Sequence, residues 1–205
     1  MSGIVPATAV SDDALWVRAQ DNDPDAFALL FERHGRTIYN YCFRRTADWT
    51  TAEDLTSLVF LEAWRRRAQH VEAGKVLPWL YGIATNVIRN RRRAERRHRA
   101  AIGRLSLPEP TPDFAAEVVE RLDDQGKMAQ ILRLIAKLPR RQQDVLALCG
   151  WSALSYEDAS AALGIPVGTV KSALFRAIER LTELSAPRGH QNLADPSTEE
   201  CEIDA

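Results

Sequence analysis

The chain has 205 residues, of which 45% are apolar, and its net charge at pH 7 is −1. This length fits one domain or two small ones, and the apolar content is sufficient for packed cores. No apolar run approaches the roughly 18 residues of a membrane helix, and no basic segment precedes an apolar one near the N-terminus. We therefore expect a soluble, cytoplasmic protein without a membrane segment.

The small net charge hides a strong segregation of charge along the chain. Residues 61–104 carry 12 basic and 3 acidic side chains, and residues 127–185 carry 8 and 5. Residues 105–126 between them carry 1 basic and 6 acidic side chains, and residues 186–205 carry 1 and 5. Two basic blocks on either side of an acidic segment predict two contacts with a polyanion.

In chain order, the apolar spacing of the N-terminal part predicts four helices and no strand. Apolar residues recur at steps of three, four and seven, without a useful period of two. Aspartate or proline marks three of the helix starts, as capping side chains and first-turn prolines do. The fourth helix becomes almost wholly basic over residues 89–99. The predicted starts are Asp12, Pro24, Thr51 and Pro78.

A proline-rich stretch divides the chain. Pro108, Pro110 and Pro112 cannot continue a helix and favour an extended path. The predicted fold is all-α, with two small helical domains joined by a flexible linker. The predicted segments are an N-terminal helical domain at 1–104, an acidic linker at 105–126, a second helical domain at 127–185 and a disordered acidic tail at 186–205.

The second domain contains a predicted helix-turn-helix. Ser155 can cap the first helix with Asp158 three residues on, and Gly164 can supply a left-handed end. In the second helix the residues expected to face inward are Val170, Leu174, Ala177, Ile178 and Leu181. The outer face then holds residues suited to a recognition helix in a major groove, namely Thr169, Lys171, Ser172, Phe175 and Arg176. An ordinary αα-hairpin with a solvated basic face is the alternative.

The fourth helix combines arginines with aromatic and amide side chains. Arginine contacts phosphate bidentately, and each neutralised phosphate releases counterions, so this surface is suited to nucleic acid. Aromatic rings stack on unpaired bases, and asparagine can pair with a base edge. The candidates for an opened strand are Trp79, Asn86, Asn90, Arg91, Arg92 and Arg93. A solvated arginine-rich helix and a core position for Trp79 are the alternatives.

The third helix carries acids at its start and apolar residues beyond one face. Acids are common near helix N-termini because of the helix dipole, but an exposed apolar residue beside them would mark a protein-docking patch. The candidates are Glu53, Asp54, Leu58 and Phe60.

The sequence contains no motif for catalysis or metal binding. Cys42, Cys149 and Cys201 lie far apart, and the four histidines are scattered. Cys42 and Cys149 fall within helical apolar patterns, which predicts buried, reduced thiols. A P-loop, a nucleophile elbow and metal-ligand spacing are all absent. We expect no enzyme activity, no metal and no cofactor.

Together these segments resemble bacterial RNA polymerase sigma factors of the extracytoplasmic-function (ECF) group of the sigma-70 family. The resemblance covers roughly residues 12–184, nearly everything but the tail. It depends mainly on four segments in the family's order: DAF at 25–27, AEDLT at 52–56, WLYGIATN at 79–86 and GTVKS at 168–172.

The resemblance implies a subunit that binds core RNA polymerase, directs it to promoters and promotes DNA melting. By position, it assigns Asp54, Phe60 and their neighbours to the polymerase clamp helices. It assigns Asn86 and the loop at 70–77 to a flipped minus-10 base, with Asn90 and the arginines along the strand. It assigns the outer face of the helix-turn-helix to the minus-35 element, with Thr169 near the backbone. The implied partners are core polymerase through its clamp helices and flap, promoter DNA, and an anti-sigma protein.

The chain departs from the family pattern at three positions. Ser57 and Leu58 replace the glutamine and acid that are common there, and Ala173 replaces an arginine, so one phosphate contact is expected to be missing. Two other functions remain open. One is a stand-alone helix-turn-helix regulator, which predicts a symmetric operator. The other is a helical RNA-binding or scaffold protein that uses only the arginine run.

Overall fold

The computed structural model describes residues 10–102, 129 and 131–185, and all regular structure within these ranges is helical. The predicted linker at 105–126 and tail at 186–205 lie outside the described residues, as does Cys201. The all-α prediction is confirmed.

The N-terminal bundle, residues 10–102, consists of four helices. They are α1 at Asp12–Gln20, α2 at Pro24–Thr46, α3 at Trp49–Arg65 and α4 at Val76–Ile102. The Ser11 and Asp23 side chains accept backbone N–H bonds at the starts of α1 and α2, and Pro24 occupies the first turn of α2. Helices α3 and α4 each begin two residues earlier than predicted. Asp48 caps α3, accepting from the backbone N–H of Thr51.

The C-terminal bundle, residues 131–185, begins with a helical stretch at 131–135. Helix α5 at Arg140–Val145 continues directly into a π-helical segment at Leu146–Trp151. The helix-turn-helix follows as α6 at Tyr156–Leu163 and α7 at Val167–Ser185. Its predicted caps are confirmed, because Ser155 Oγ accepts from the backbone N–H of Asp158 and Gly164 has a φ of 63°.

Among the described residues, no single helix has the length and apolar character needed to cross a membrane. Helices α6 and α7 meet the length and composition criteria only when taken together, and a bend of 103° separates them.

The two bundles pack against each other through one continuous apolar cluster. This cluster joins the N-terminal core around Leu55 and Ile88 to Leu148, Ala159 and Val170 of the C-terminal bundle. Helix α6 lies against α4 at Gly82, where a Cβ atom would be 2.7 Å from the carbonyl oxygen of Ala162. Gly82 therefore permits a backbone approach that any side chain would obstruct.

Candidate nucleic-acid interface

The outer face of α7 presents most of the predicted recognition residues to solvent. Lys171, Ser172, Phe175 and Arg176 are exposed, whereas Thr169 is half-buried. Phe175 is 69% exposed, so its ring is available to a partner. Arg176 donates from Nε to the Ser172 carbonyl oxygen at 3.0 Å, so its fork lies along the helix surface.

The structure corrects one expectation for α7. Ile178 was expected to face inward, but it is 53% exposed and lies three positions beyond Phe175 on the same helix face. Ala173 is buried in the apolar cluster that joins the two bundles. The expected absence of one phosphate contact at this position stays a prediction.

The amide surface of α4 is also open to solvent. Asn86 and Asn90 are exposed and lie one turn apart, and Arg89 donates to Asn86 Oδ1 at 3.5 Å. Trp79 is half-buried, and its ring packs edge-on against Trp16 with 4.7 Å between centroids. This contact supports the structural alternative for Trp79, because the ring anchors α4 to α1.

The predicted arginines of α4 differ in their surroundings. Arg93 is exposed, and Arg91 pairs with Glu95 at 2.7 Å. Arg92 donates to the carbonyl oxygen of Arg45 at 2.6 Å and to Gln143 Oε1 at 3.3 Å. Burial, followed by the nearby charge of Arg45, lowers the pKa of the Arg92 guanidinium from its usual value. Of these three side chains, only Arg93 lies open in this arrangement.

The candidate docking residues of α3 differ in their exposure. Glu53 and Asp54 are exposed, and Leu58 is 49% exposed. Phe60 is 4% exposed, so of the two apolar candidates only Leu58 lies at the surface. Its ring packs against Phe31 with 4.8 Å between centroids, because its helix position faces α2 rather than solvent.

An exposed apolar surface surrounds Leu58, and two of its residues, Leu61 and Phe31, were not predicted from the sequence. Leu61 is nearly half exposed and lies three positions after Leu58, so both share one face of α3. Phe31 of α2 is similarly exposed and touches Phe60 beneath that face. We call Leu58, Leu61 and Phe31 the α3 apolar surface.

A buried ion cluster lies between the bundles and was not predicted from the sequence. Asp144 of α5 is 2% exposed and accepts from Arg45 Nη2 at 2.6 Å, with Arg45 itself 3% exposed. The second Asp144 oxygen accepts from Arg89 Nε at 2.9 Å and Nη2 at 2.7 Å. Lys75 and Asp158 form a second ion pair across the boundary at 2.6 Å.

A cleft of about 990 Å³ opens beside the ion cluster. Its walls come from the junction of α2 and α3, from the basic end of α4 and from residues 129 and 132–144, and they include ten arginines. Within the described ranges, no group of three or more histidine, cysteine or acidic side chains is arranged to hold a metal ion. The arginines make the cleft positively charged, which suits the binding of a polyanion.

Comparison with known families matches both bundles. A model for sigma-70 region 2 matches residues 30–98, and a model for sigma-70 region 4 matches residues 128–181. The ECF RNA polymerase sigma factor BldN of Streptomyces coelicolor is 30% identical over 172 residues, covering 82% of this chain and 63% of BldN. The chain belongs to the ECF sigma factors.

Other relatives match this ECF sigma factor over nearly their whole length. The RNA polymerase sigma-H factor of Pseudomonas aeruginosa is 29% identical over 196 residues, covering 88% of this chain and 96% of the relative. The solved structure of RpoE with the anti-sigma factor NepR from Bartonella quintana is 25% identical, with a TM-score of 0.54, and covers 77% of this chain and 95% of that one. A structure of CnrH with the cytosolic domain of CnrY has the same fold, with a TM-score of 0.64, 21% identity and coverage of 84% and 96%.

ECF sigma factors bind core RNA polymerase, direct it to promoters and promote DNA opening for transcription initiation, and this chain is one of them. They are known as non-enzymatic initiation factors. In this sigma factor the N-terminal bundle contains region 2, and the C-terminal bundle contains region 4.

Proposed function

We propose that this ECF sigma factor divides its task among three surfaces. The exposed face of α7, with Lys171, Ser172, Phe175 and Arg176, reads the minus-35 element in the major groove, and Thr169 lies near the DNA backbone. The amide face of α4 receives a flipped minus-10 base at Asn86, with Asn90 beside the strand and Arg91, Arg92 and Arg93 along its phosphates. The exposed basic and aromatic face of α7, within a region 4 domain, is the observation that carries this proposal.

The α3 apolar surface, together with Glu53 and Asp54, is the proposed contact with core polymerase. A half-exposed pair of leucines beside two acids suits a protein partner, because the apolar core of an interface needs a polar rim. Phe60 supports this surface from beneath instead of touching the polymerase. Trp79 likewise acts through its packing on Trp16, by fixing the start of α4.

The proposal includes several features beyond residue roles. The chain works in the cytoplasm, where the polymerase is, and it has no catalytic activity of its own. Residues 1–104 and 127–185 are the functional domains, with 105–126 as the tether between them. One of the compared structures contains the sigma factor RpoE with the anti-sigma factor NepR, and a comparable anti-sigma partner is proposed here.

The polymerase contact is tested by substituting one exposed leucine. Leu58→Glu places a charge within the α3 apolar surface and should weaken binding to core polymerase by about tenfold or more, since a buried unpaired charge is costly. Binding is measured by titrating labelled chain with purified bacterial core polymerase. The matched control is Val17→Glu, because Val17 is 57% exposed and belongs to α1, which contributes no residue to this surface. Equal loss with both variants, or no loss with Leu58→Glu, would contradict the assignment.

A further inference from the structure

The ion cluster between the bundles has the geometry of a guanidinium–phosphate contact. One oxygen of Asp144 receives two N–H bonds from the fork of Arg89, and the other receives one from Arg45. Paired N–H donation to an oxyanion is the way in which arginine binds DNA phosphate. The donor Arg89 belongs to the basic run of α4, whereas the carboxylate comes from α5 of region 4.

Gln143 accepts hydrogen bonds from two arginines, as Asp144 does. Gln143, next to Asp144, accepts from Arg92 through its side-chain oxygen at 3.3 Å and from Arg45 through its backbone oxygen at 3.0 Å. Two basic residues of the α4 run, Arg89 and Arg92, therefore donate to consecutive residues of region 4. The Nε and Nη2 atoms of Arg89 and both Nη atoms of Arg92 are therefore occupied while the bundles are packed together.

We infer that Asp144 is an intramolecular substitute for a DNA phosphate, which holds the free sigma factor closed and keeps Arg89 and Arg92 from promoter DNA. This inference rests on the proposed role of the basic α4 surface. Core polymerase opens the clasp, defined as Asp144, Gln143, Arg45, Arg89 and Arg92, when it draws regions 2 and 4 apart.

The ion pairs of the clasp can form and separate reversibly. A buried carboxylate and a buried guanidinium neutralise each other only while both remain in place, and separation returns both to water together. The Lys75–Asp158 pair and the α4–α6 approach at Gly82 add to the closed state without involving the α4 arginines. The closed chain still presents Leu58 on α3 and Phe175 on α7, so polymerase can engage it before it opens.

The test measures the distance between the bundles and DNA binding in the full chain. Fluorophores are attached at Ala28→Cys and Glu183→Cys, two exposed positions on α2 and α7, with Cys149→Ser and Cys201→Ser removing competing thiols. In the free wild type we expect high energy transfer and weak binding to single-stranded DNA. Asp144→Asn removes the phosphate-like charge, so energy transfer should fall and DNA affinity should rise about tenfold at low salt. The slope of log affinity against log salt should steepen by about 1 to 2 as Arg89 and Arg92 gain phosphates.

The matched control is Glu95→Gln. This substitution removes the carboxylate that pairs with Arg91, another arginine of α4. Because Glu95 and Arg91 lie on the same helix, the loss of this pair does not affect the contact between the bundles. Energy transfer should therefore remain at the wild-type value. Unchanged energy transfer and unchanged DNA affinity in Asp144→Asn, with wild-type helicity by circular dichroism, would overturn the inference.

A second measurement covers the case in which Asp144→Asn fails to fold. Lys75→Cys and Asp158→Cys are joined by a short bismaleimide with a reducible centre, which locks the bundles together. In the presence of core polymerase, which opens the clasp of an unlocked chain, the locked chain should bind single-stranded DNA at least about tenfold more weakly than after reduction, because the α4 arginines stay occupied. Equal binding before and after reduction would overturn the inference. Failure of the wild type to bind core polymerase would instead reject the proposed function, so the two failures are distinct.

Discussion

At the scale of single residues, local pattern predicted exposure well but missed buried charge. The exposed face of α7 followed from helical periodicity, because Lys171 and Arg176 lie opposite the buried Val170 and Ala177. Asp144 carried no such signal, since its partner Arg45 lies 99 positions away in the sequence. A carboxylate among apolar neighbours at 144–148 could have been noticed as unusual, but its partner could not have been named.

Arg176 is the residue at which minus-35 reading is most directly tested. Arg176→Ala should reduce transcription from a promoter with its cognate minus-35 element by about tenfold, because a bidentate contact to a base is worth about 1–3 kcal/mol. Binding to core polymerase should not change. Arg180→Ala, which removes an exposed arginine one turn further along α7, is the control. Quantitative run-off transcription checks both variants, and an equal effect of the two would count against a specific role for Arg176.

The cysteines give a prediction about pH. Burial raises the pKa of the Cys42 thiol to about 12, and burial also raises that of Cys149. At pH 8 only about one Cys42 in ten thousand is then a thiolate, so Cys42 should resist thiol reagents in the folded chain. The folded pKa is raised, so this thiol favours folding below pH 9 and that contribution is lost as pH rises toward 12. Timed labelling with mass spectrometry checks the order of reactivity, and fast modification of Cys42 at pH 8 would contradict the burial.

At the scale of elements, the prediction succeeded where the signal is local. Ser155, Asp158 and Gly164 fixed both ends of α6, because a cap depends on residues within one turn. The π-helical segment at Leu146–Trp151 was not predicted, because nothing in its composition distinguishes it from an α-helix. The exposure of Ile178 was also missed, since periodicity alone does not say how wide a buried face is.

A substitution at Gly82 tests whether α4 and α6 pack closely because position 82 has no side chain. Gly82→Ala should favour α4 itself, since alanine in a helix interior is better than glycine by about 0.5–1 kcal/mol. The added Cβ would nevertheless meet the Ala162 carbonyl, so the bundles should separate and energy transfer between them should fall. Gly168→Ala is the control, because no atom lies within 4 Å of a Cβ at that position. Unchanged energy transfer in Gly82→Ala would contradict the close approach.

At the scale of the whole molecule, the charge pattern predicted two basic modules but not their contact. Both modules are present, and each matches a sigma-70 region. Their packing depends on Asp158 and Asp144 reaching Lys75 and Arg89 across the boundary, which are pairings between distant segments. Separate modules on one tether were the simplest arrangement consistent with the sequence. The structure adds a closed form in which one module occupies arginines of the other.

Promoter recognition and opening are tested together by transcription from genomic DNA with core polymerase and the purified chain, with start sites mapped. The account predicts starts that depend on both proteins and share two upstream elements near minus-10 and minus-35. Asn86→Ala should reduce these starts by about tenfold, whereas Asn40→Ala, an exposed asparagine on α2, should leave them unchanged. Absence of any start that depends on the chain, together with tight binding of the chain alone to a palindromic site, would contradict the account.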